Sequence, residues 1–262
     1  MLKKRIIPKL LIQTQKIGSK EMPVAVTSKN FNFYRNVGNP ISQAKIFQDQ
    51  LADELLILSL DNKIITENKI MKNTIEELSS NIFMPIIVGG GVRKLDHFDI
   101  LLKIGADKIV INSKAIEDPK FISTAAKHFG SQCVVVSVDF VESNGKFLIY
   151  QKFENKITNI EVETWAKQIS ELGCGEIILC DVNRDGSGSG LNLDLSKIIS
   201  QKSKVPIILS GGCGLAKHFI EGFKIGMADG VSAGTFFSYR DQNLIQVRNQ
   251  AINSGVNLRT II

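Results

Sequence analysis

Short apolar runs alternate with amphipathic stretches along most of the chain. The runs fall at 5–12, 53–60, 85–91, 107–112, 133–139, 176–181, 206–212 and 229–234, each of strand length. They are apolar almost throughout, as in a sheet covered on both faces. Between them the period becomes helical, at 67–80, 96–104, 119–129, 163–172, 193–201, 216–225 and 242–253. Strand–helix repetition predicts parallel pairing with right-handed crossovers. Two segments break the rhythm. Residues 13–36 read as a long polar excursion after the first strand. Residues 140–158 hold Asn144-Gly145 beside Phe147 and Ile149, a hairpin signal beyond the fifth strand.

The chain also repeats itself. PIIVGGG from Pro85 returns as PIILSGG from Pro206, and His97, Lys103 and Gly105 recur 121 residues later as His218, Lys224 and Gly226. DELLILSLD from Asp53 resembles GEIILCDVNRD from Gly175, 122 residues on. Eight strands in two matching halves predict an α/β fold, a (β/α)8 TIM barrel built from two similar half-barrels, as one domain over 1–262. The length suits it, since such barrels take about 250 residues.

Composition narrows the function classes. The chain is 44% hydrophobic and 22% charged, with net charge +6 and its Lys and Arg residues spread along the chain with no long basic run beyond Lys3-Lys4-Arg5. That pattern reads as a solvated surface and not as a nucleic-acid face, although a modest positive field suits an anionic substrate. Cys133, Cys174, Cys180 and Cys213 form no C-x-x-C pair and read as reduced thiols. His97, His128 and His218 lack ligand spacing, so neither a metal nor a cofactor is expected. No apolar run reaches membrane-span length, and no signal-peptide pattern opens the chain, so a cytoplasmic protein is expected.

The glycines carry the first candidate chemistry. Gly89-Gly90-Gly91 follow one strand and Gly211-Gly212 its repeat, while Asn112-Ser113 and Ala233-Gly234 end the next strand of each half. Glycine lets backbone N–H groups approach an anion, so each cluster reads as half of a phosphate cradle. The bland alternative is a pair of tight turns; two matching clusters half a barrel apart favour phosphate. The Asp185–Gly190 stretch reads as a mobile lid, with Gly186 adding an amide to the second cradle. Two cradles suggest an elongated substrate with a phosphate at each end.

Together KRIIPKLL, GGGV, GADKIVIN, FGSQCVVVSVD, GEIIL, NRDGSGSG, PIILSGG and GVNLR resemble the cyclase subunit of imidazole glycerol phosphate synthase across almost the whole chain. The resemblance implies a barrel that takes ammonia from a partner glutaminase, as a heterodimer, and joins it to a bis-phosphorylated nucleotide intermediate of histidine biosynthesis. It implies two aspartates as general acid and base. Asp139 matches the one ending the fifth strand, with a loop cap as its structural alternative. Leu11 stands where the other belongs, and leucine cannot transfer a proton. The family's lysine after the first strand aligns with Thr27, with Lys29 as the nearest stand-in. The aspartate ending the second strand aligns with Ser59, and the serine of the eighth-strand cradle with Gly234. Asp61 and Asp185 are candidate replacement carboxylates.

The family's four-residue ammonia gate at the barrel bottom is retained as Arg5, Glu54, Lys108 and Glu176, which a salt-bridge ring of purely structural purpose would also explain. Asp107 matches a residue facing the glutaminase. An intact ammonia route with half the acid–base pair missing resembles the branch serving acetamidino-sugar formation in surface-polysaccharide (lipopolysaccharide) biosynthesis, with a sugar amidotransferase as further partner. The run from Phe33 to Pro40 and the apolar residues 10–12 suit that branch. The alternatives are a genuine histidine-pathway cyclase (a lyase), a non-catalytic ammonia-conducting scaffold, and a related barrel isomerase, which leaves the gate unexplained.

Overall fold

The computed structural model describes residues 3–61, 64–239 and 242–259. In chain order it contains β1 (Arg5–Ile17), β2 (Lys20–Lys29), β3 (Phe33–Gly38), α1 (Pro40–Asp49), β4 (Leu55–Ser59), α2 (Lys69–Asn81), β5 (Ile86–Gly89), α3 (Leu95–Lys103) and β6 (Lys108–Ile111). Next come α4 (Ser113–Glu117), α5 (Lys120–Phe129), β7 (Val134–Ser143), β8 (Lys146–Gln151), β9 (Lys156–Glu161), α6 (Val162–Glu171) and β10 (Glu176–Asp181). The chain ends with α7 (Leu193–Lys202), β11 (Ile207–Ser210), α8 (Ala216–Lys224), β12 (Gly230–Ala233), α9 (Thr235–Tyr239) and α10 (Leu244–Asn253).

Strands β1, β4, β5, β6, β7, β10, β11 and β12 pair in parallel in that order, and β12 pairs with β1, so the sheet closes. This is the eight-stranded (β/α)8 barrel expected. Closure sorts each strand by alternation. Ile6, Leu10 and Ile12 face the helices, in the large core that also holds Phe98, Trp165 and Phe219. Ile7 faces inward with Leu56, Ile87, Val110, Val135, Ile178 and Ile208, an aliphatic layer inside the barrel.

Helix starts follow local chemistry. Asn39 caps α1, with Pro40 at its first position, and Asn68, Asn192 and Asn243 cap α2, α7 and α10. Helix α1 escaped the periodicity reading, although Asn39-Pro40 signals its start. The polar excursion at 13–36 is instead a hairpin. Strand β1 runs on past the barrel rim, β2 pairs back on it antiparallel, and β3 extends the ribbon. Most of its outer residues are polar and face water, with Ile17, Met22 and Phe33 as exposed exceptions, which hid the strand period.

The expected hairpin beyond the fifth strand is present as β7–β8, with Asn144 and Gly145 both at positive φ (51° and 73°), and β9 extends it. Thus the first strand of each half carries an antiparallel ribbon. The two ribbons meet above the barrel mouth: Lys152 donates to the Phe31 carbonyl, and the Phe31 and Tyr150 rings lie 6.5 Å apart.

Candidate functional site

At the N-terminal end of the barrel, Arg5, Glu54, Lys108 and Glu176 form one ring. Arg5 Nη1 donates to Glu54 Oε1 (2.9 Å) and Glu176 Oε1 (2.8 Å), and Lys108 Nζ to the same two oxygens at 2.9 and 3.0 Å. Burial lowers the Arg5 pKa, but Glu176 and Glu54 more than offset it and leave it raised. Glu176 Oε2 is buried without a partner among the described residues. Alternation places the ring directly below the aliphatic layer, two residues upstream of Ile7, Leu56, Val110 and Ile178.

Asp107 lies on the same rim, exposed, and its Oδ2 accepts from Ile86 N at 2.7 Å. Asp53 does the same for Ile6 N (2.8 Å) and Asp229 for Ile207 N (3.1 Å). A carboxylate just before one strand thus clasps an amide at the start of the neighbouring barrel strand, which gives Asp107 a structural task. Asp53 also pairs with the fully buried Arg248 at 2.8 Å.

Above the aliphatic layer the lumen turns polar. Asp139 is buried, accepts from Asn112 Nδ2 (2.7 Å) and Ser137 Oγ (3.1 Å), and has its pKa raised to about 6. Burial raises it most, opposed by the Ser137 hydrogen bond, Lys9 and the Asn112 hydrogen bond. A carboxyl poised near neutrality at a strand C-terminus is suited to move protons. Leu11 sits in an apolar patch with Val24, Val26, Leu58 and Tyr34. Of the candidate replacements, Asp61 is engaged by Thr14 N (2.9 Å), Thr14 Oγ1 (2.6 Å) and Asn68 Nδ2 (2.7 Å), which tie β1 to the start of α2. Asp185 reaches inward and accepts from Ser28 Oγ at 2.5 Å.

Lys9 is the residue that sequence reasoning missed. It is 9% exposed, on β1 between the aliphatic layer and Leu11, with Nζ 3.3 Å from Ser210 Oγ and 3.7 Å from Asp185 Oδ1. Burial opposes its charge, but Cys180, Asp185 and Asp139 offset this and raise its pKa. The signal was alternation: Arg5, Ile7, Lys9 and Leu11 share one face of β1, so the lysine had to point into the lumen. Lys29, the nearest stand-in for the family's lysine, is exposed, whereas Thr27 is buried and shares a 3.1 Å hydrogen bond with Tyr239.

The two glycine cradles share a backbone plan and differ in room. Gly90 and Gly91 (φ 141° and 64°) border a cavity of about 680 Å³ that also takes in Asn112, Ser113 and Asp139. A Cβ on Gly90 would meet Ser59 Cβ at 2.6 Å. Gly211, Gly212, Ala233 and Gly234 border a slot of about 20 Å³, together with Lys9, Asp185 and Gly186. The stretch expected to be a lid lies folded in: Asn30 N donates to Asp185 O (3.0 Å) and Gly190 N to Gly212 O (2.8 Å).

His97 and His218 join the site through this repeat. Each accepts on Nδ1 from the amide four residues earlier, Arg93 N (3.2 Å) and Gly214 N (3.1 Å), pinning the loop after each glycine cluster. Burial lowers both imidazole pKa values. All four cysteines are free; Cys133 is half-buried and the rest are buried. Among the described residues no group of three or more His, Cys, Asp or Glu could hold a metal ion, and no helix is long and apolar enough to cross a membrane.

Residues 5–243 match the histidine biosynthesis protein family. A Prochlorococcus marinus protein with the provisional name imidazole glycerol phosphate synthase subunit hisF2 is 40% identical over 262 residues, covering 99% of both chains. The imidazole glycerol phosphate synthase subunit HisF of Geobacillus kaustophilus is 35% identical over 261 residues, and that of Bacillus cereus 36% over 260, each covering 99% of this chain and 100% of its relative. With a barrel of the expected kind and matches spanning nearly its whole length, the chain belongs to the histidine biosynthesis protein family, among the HisF subunits of imidazole glycerol phosphate synthase.

Proposed function

We propose that this barrel receives ammonia from a partner glutaminase at its N-terminal end and delivers it to a phosphorylated substrate at the Asp139 cavity, as a specialised paralogue serving acetamidino-sugar formation in surface-polysaccharide biosynthesis. The observation that carries the reading is the layered lumen. A neutral ring of four charges underlies an aliphatic layer, and the cavity above that layer holds one poised carboxyl. Ammonia is small and uncharged, so an aliphatic lumen passes it where ions are excluded. The uncommitted Oε2 of Glu176 is an acceptor for an N–H donor entering through the ring.

Asp139 can take or give one proton near neutrality. Leu11 provides no second group, which separates this chain from a cyclase that uses an acid and a base. General acid–base groups contribute about 10²–10⁴-fold each, so cyclase turnover should be weak even with ammonia supplied directly. The test has two arms. The chain should co-purify with its cognate glutaminase at micromolar concentration and raise its glutamine hydrolysis. With ammonium salt and the bis-phosphorylated nucleotide substrate, absorbance should report little turnover, and Leu11→Asp should raise it. Failure to associate overturns the ammonia reading. Full cyclase turnover by the unmodified chain makes it a histidine-pathway enzyme.

A further inference from the structure

The lumen changes character immediately above the aliphatic layer. Lys9 stands two residues beyond Ile7 on β1, and Ser210 two beyond Ile208 on β11. Ser232 joins them from β12, in register with Ile7 and Ser210. It points inward, because a Cβ on Gly230, two residues earlier, would meet Ile7 and Ile208 of the layer at 2.9 and 3.2 Å. Asp185 reaches down from the loop after β10, accepting from Ser28 on Oδ2 and turning Oδ1 toward Lys9. All four side chains are at least nine-tenths buried.

Below the glycine turns these four groups bound a slot of about 20 Å³, room for one water-sized molecule. Their own contacts leave hydrogen-bonding capacity unused. Ser232 Oγ has no partner among the described residues. Lys9 Nζ and Asp185 Oδ1 are 3.7 Å apart, too far for a direct hydrogen bond and the spacing that a small bridging molecule fills. A buried hydroxyl without a partner is costly, so the slot suits an occupant.

The count of donors and acceptors selects that occupant. Lys9 offers N–H donors and no acceptor, the Asp185 carboxylate offers only acceptors, and both serine oxygens carry lone pairs. One donor group facing three acceptor groups complements ammonia, which has one lone pair and three N–H bonds. Ammonium has no lone pair and meets the like charge of Lys9, so the slot separates the neutral molecule from the ion. Lys9, Ser28 and Ser210 also line the cavity of about 680 Å³ that contains Asp139, so an occupant of the slot borders that cavity.

We propose that Lys9, Asp185, Ser210 and Ser232 form a holding site for one molecule of neutral ammonia, placed where the aliphatic lumen opens into the Asp139 cavity. This rests on the ammonia reading above and adds a stopping point to the route.

NMR of the full chain with nitrogen-15 in its lysine side chains tests it, with Lys9→Met assigning the Lys9 ammonium signal. Titration with ammonium chloride at pH 8 and at pH 9 should move that signal to saturation. The two curves should coincide when plotted against free ammonia and diverge against total ammonium, and sodium chloride should leave the signal in place. Ser232→Leu fills the slot and should abolish the saturable shift. If that variant fails to fold, Ser232→Ala removes one acceptor and should weaken saturation about fivefold. A shift that follows total ammonium or ionic strength, an unchanged response in the Ser232 variants, no shift, or no protected Lys9 ammonium signal in the unmodified chain overturns the holding site. Co-purification with the glutaminase separates the two readings. Association without a saturable shift overturns the holding site alone, and a saturable shift without association overturns the transfer of ammonia from a glutaminase alone.

Discussion

Strands β1 and β7 hold equivalent places in the two halves of the barrel, and each runs past the rim into an antiparallel ribbon. Leu11 pairs with Leu58, Asp139 pairs with Cys180, and Leu58 and Cys180 are themselves repeat partners. The two lumen positions therefore correspond, one apolar and one a carboxyl with a pKa near 6. The glycine cradles differ in the opposite sense: the one on the Leu11 half is open, and the one on the Asp139 half is a slot. Duplication supplied the same backbone twice. Side chains reaching in from the ribbon and the 183–190 loop made the copies unequal, because a cradle of amides favours an anion only where the side chains around it leave room for one.

The ring at the barrel bottom gives the largest expected effect. Glu54 and Glu176 are repeat partners, but Glu54 accepts three hydrogen bonds from Arg5 and Lys108, while Glu176 accepts two and leaves one oxygen free. Breaking a buried ion pair costs about 3–5 kcal/mol. Glu54→Ala should approach that range in chemical denaturation and Glu176→Ala should fall below it. Equal losses would mean that the ring does not distinguish the halves.

Next comes the pH dependence at Asp139. Its folded pKa of about 6 lies above the ordinary 3.8, so the folded state holds the proton longer than the unfolded chain. The associated stability is fully present below pH 3.8 and is lost as pH rises through 6. The shift corresponds to roughly 3 kcal/mol. Asp139→Asn should remove this fall, so the difference between variant and unmodified protein grows from pH 4 to pH 7. Leu11→Asn should leave the pH profile unaltered. A parallel pair of curves for Asp139→Asn would place the ionisable group elsewhere.

The smallest effect belongs to the histidine pins. Burial lowers the pKa of His97 and His218, so the stability they lend is present above the unfolded value of 6.5 and is lost as pH falls below it. Replacing either with Phe should cost about 1 kcal/mol, the usual worth of one hydrogen bond. Amide exchange should rise at Arg93 for His97→Phe and at Gly214 for His218→Phe. An exchange rise at both sites from one substitution would show that the halves are coupled through the barrel.

Strand positions, the barrel class and the twofold repeat were legible in the chain, because continuous apolar runs and glycine turns follow from local sterics and burial. The four ring residues and Asp139 were singled out through the family resemblance, and closure then gathered Arg5, Glu54, Lys108 and Glu176 from four strands into one ring. Sequence could not show that residues 13–36 form a ribbon, since its tip is polar and solvated while residues 24–28 are buried in succession, so neither part shows the alternation of a half-buried strand. Nor could it show that Asp61 spends its oxygens on Thr14 and Asn68, or that Lys9 meets Asp185 from 176 positions away. Those are contacts between elements distant in the chain, and only the closing of the barrel brings them to one depth in its lumen.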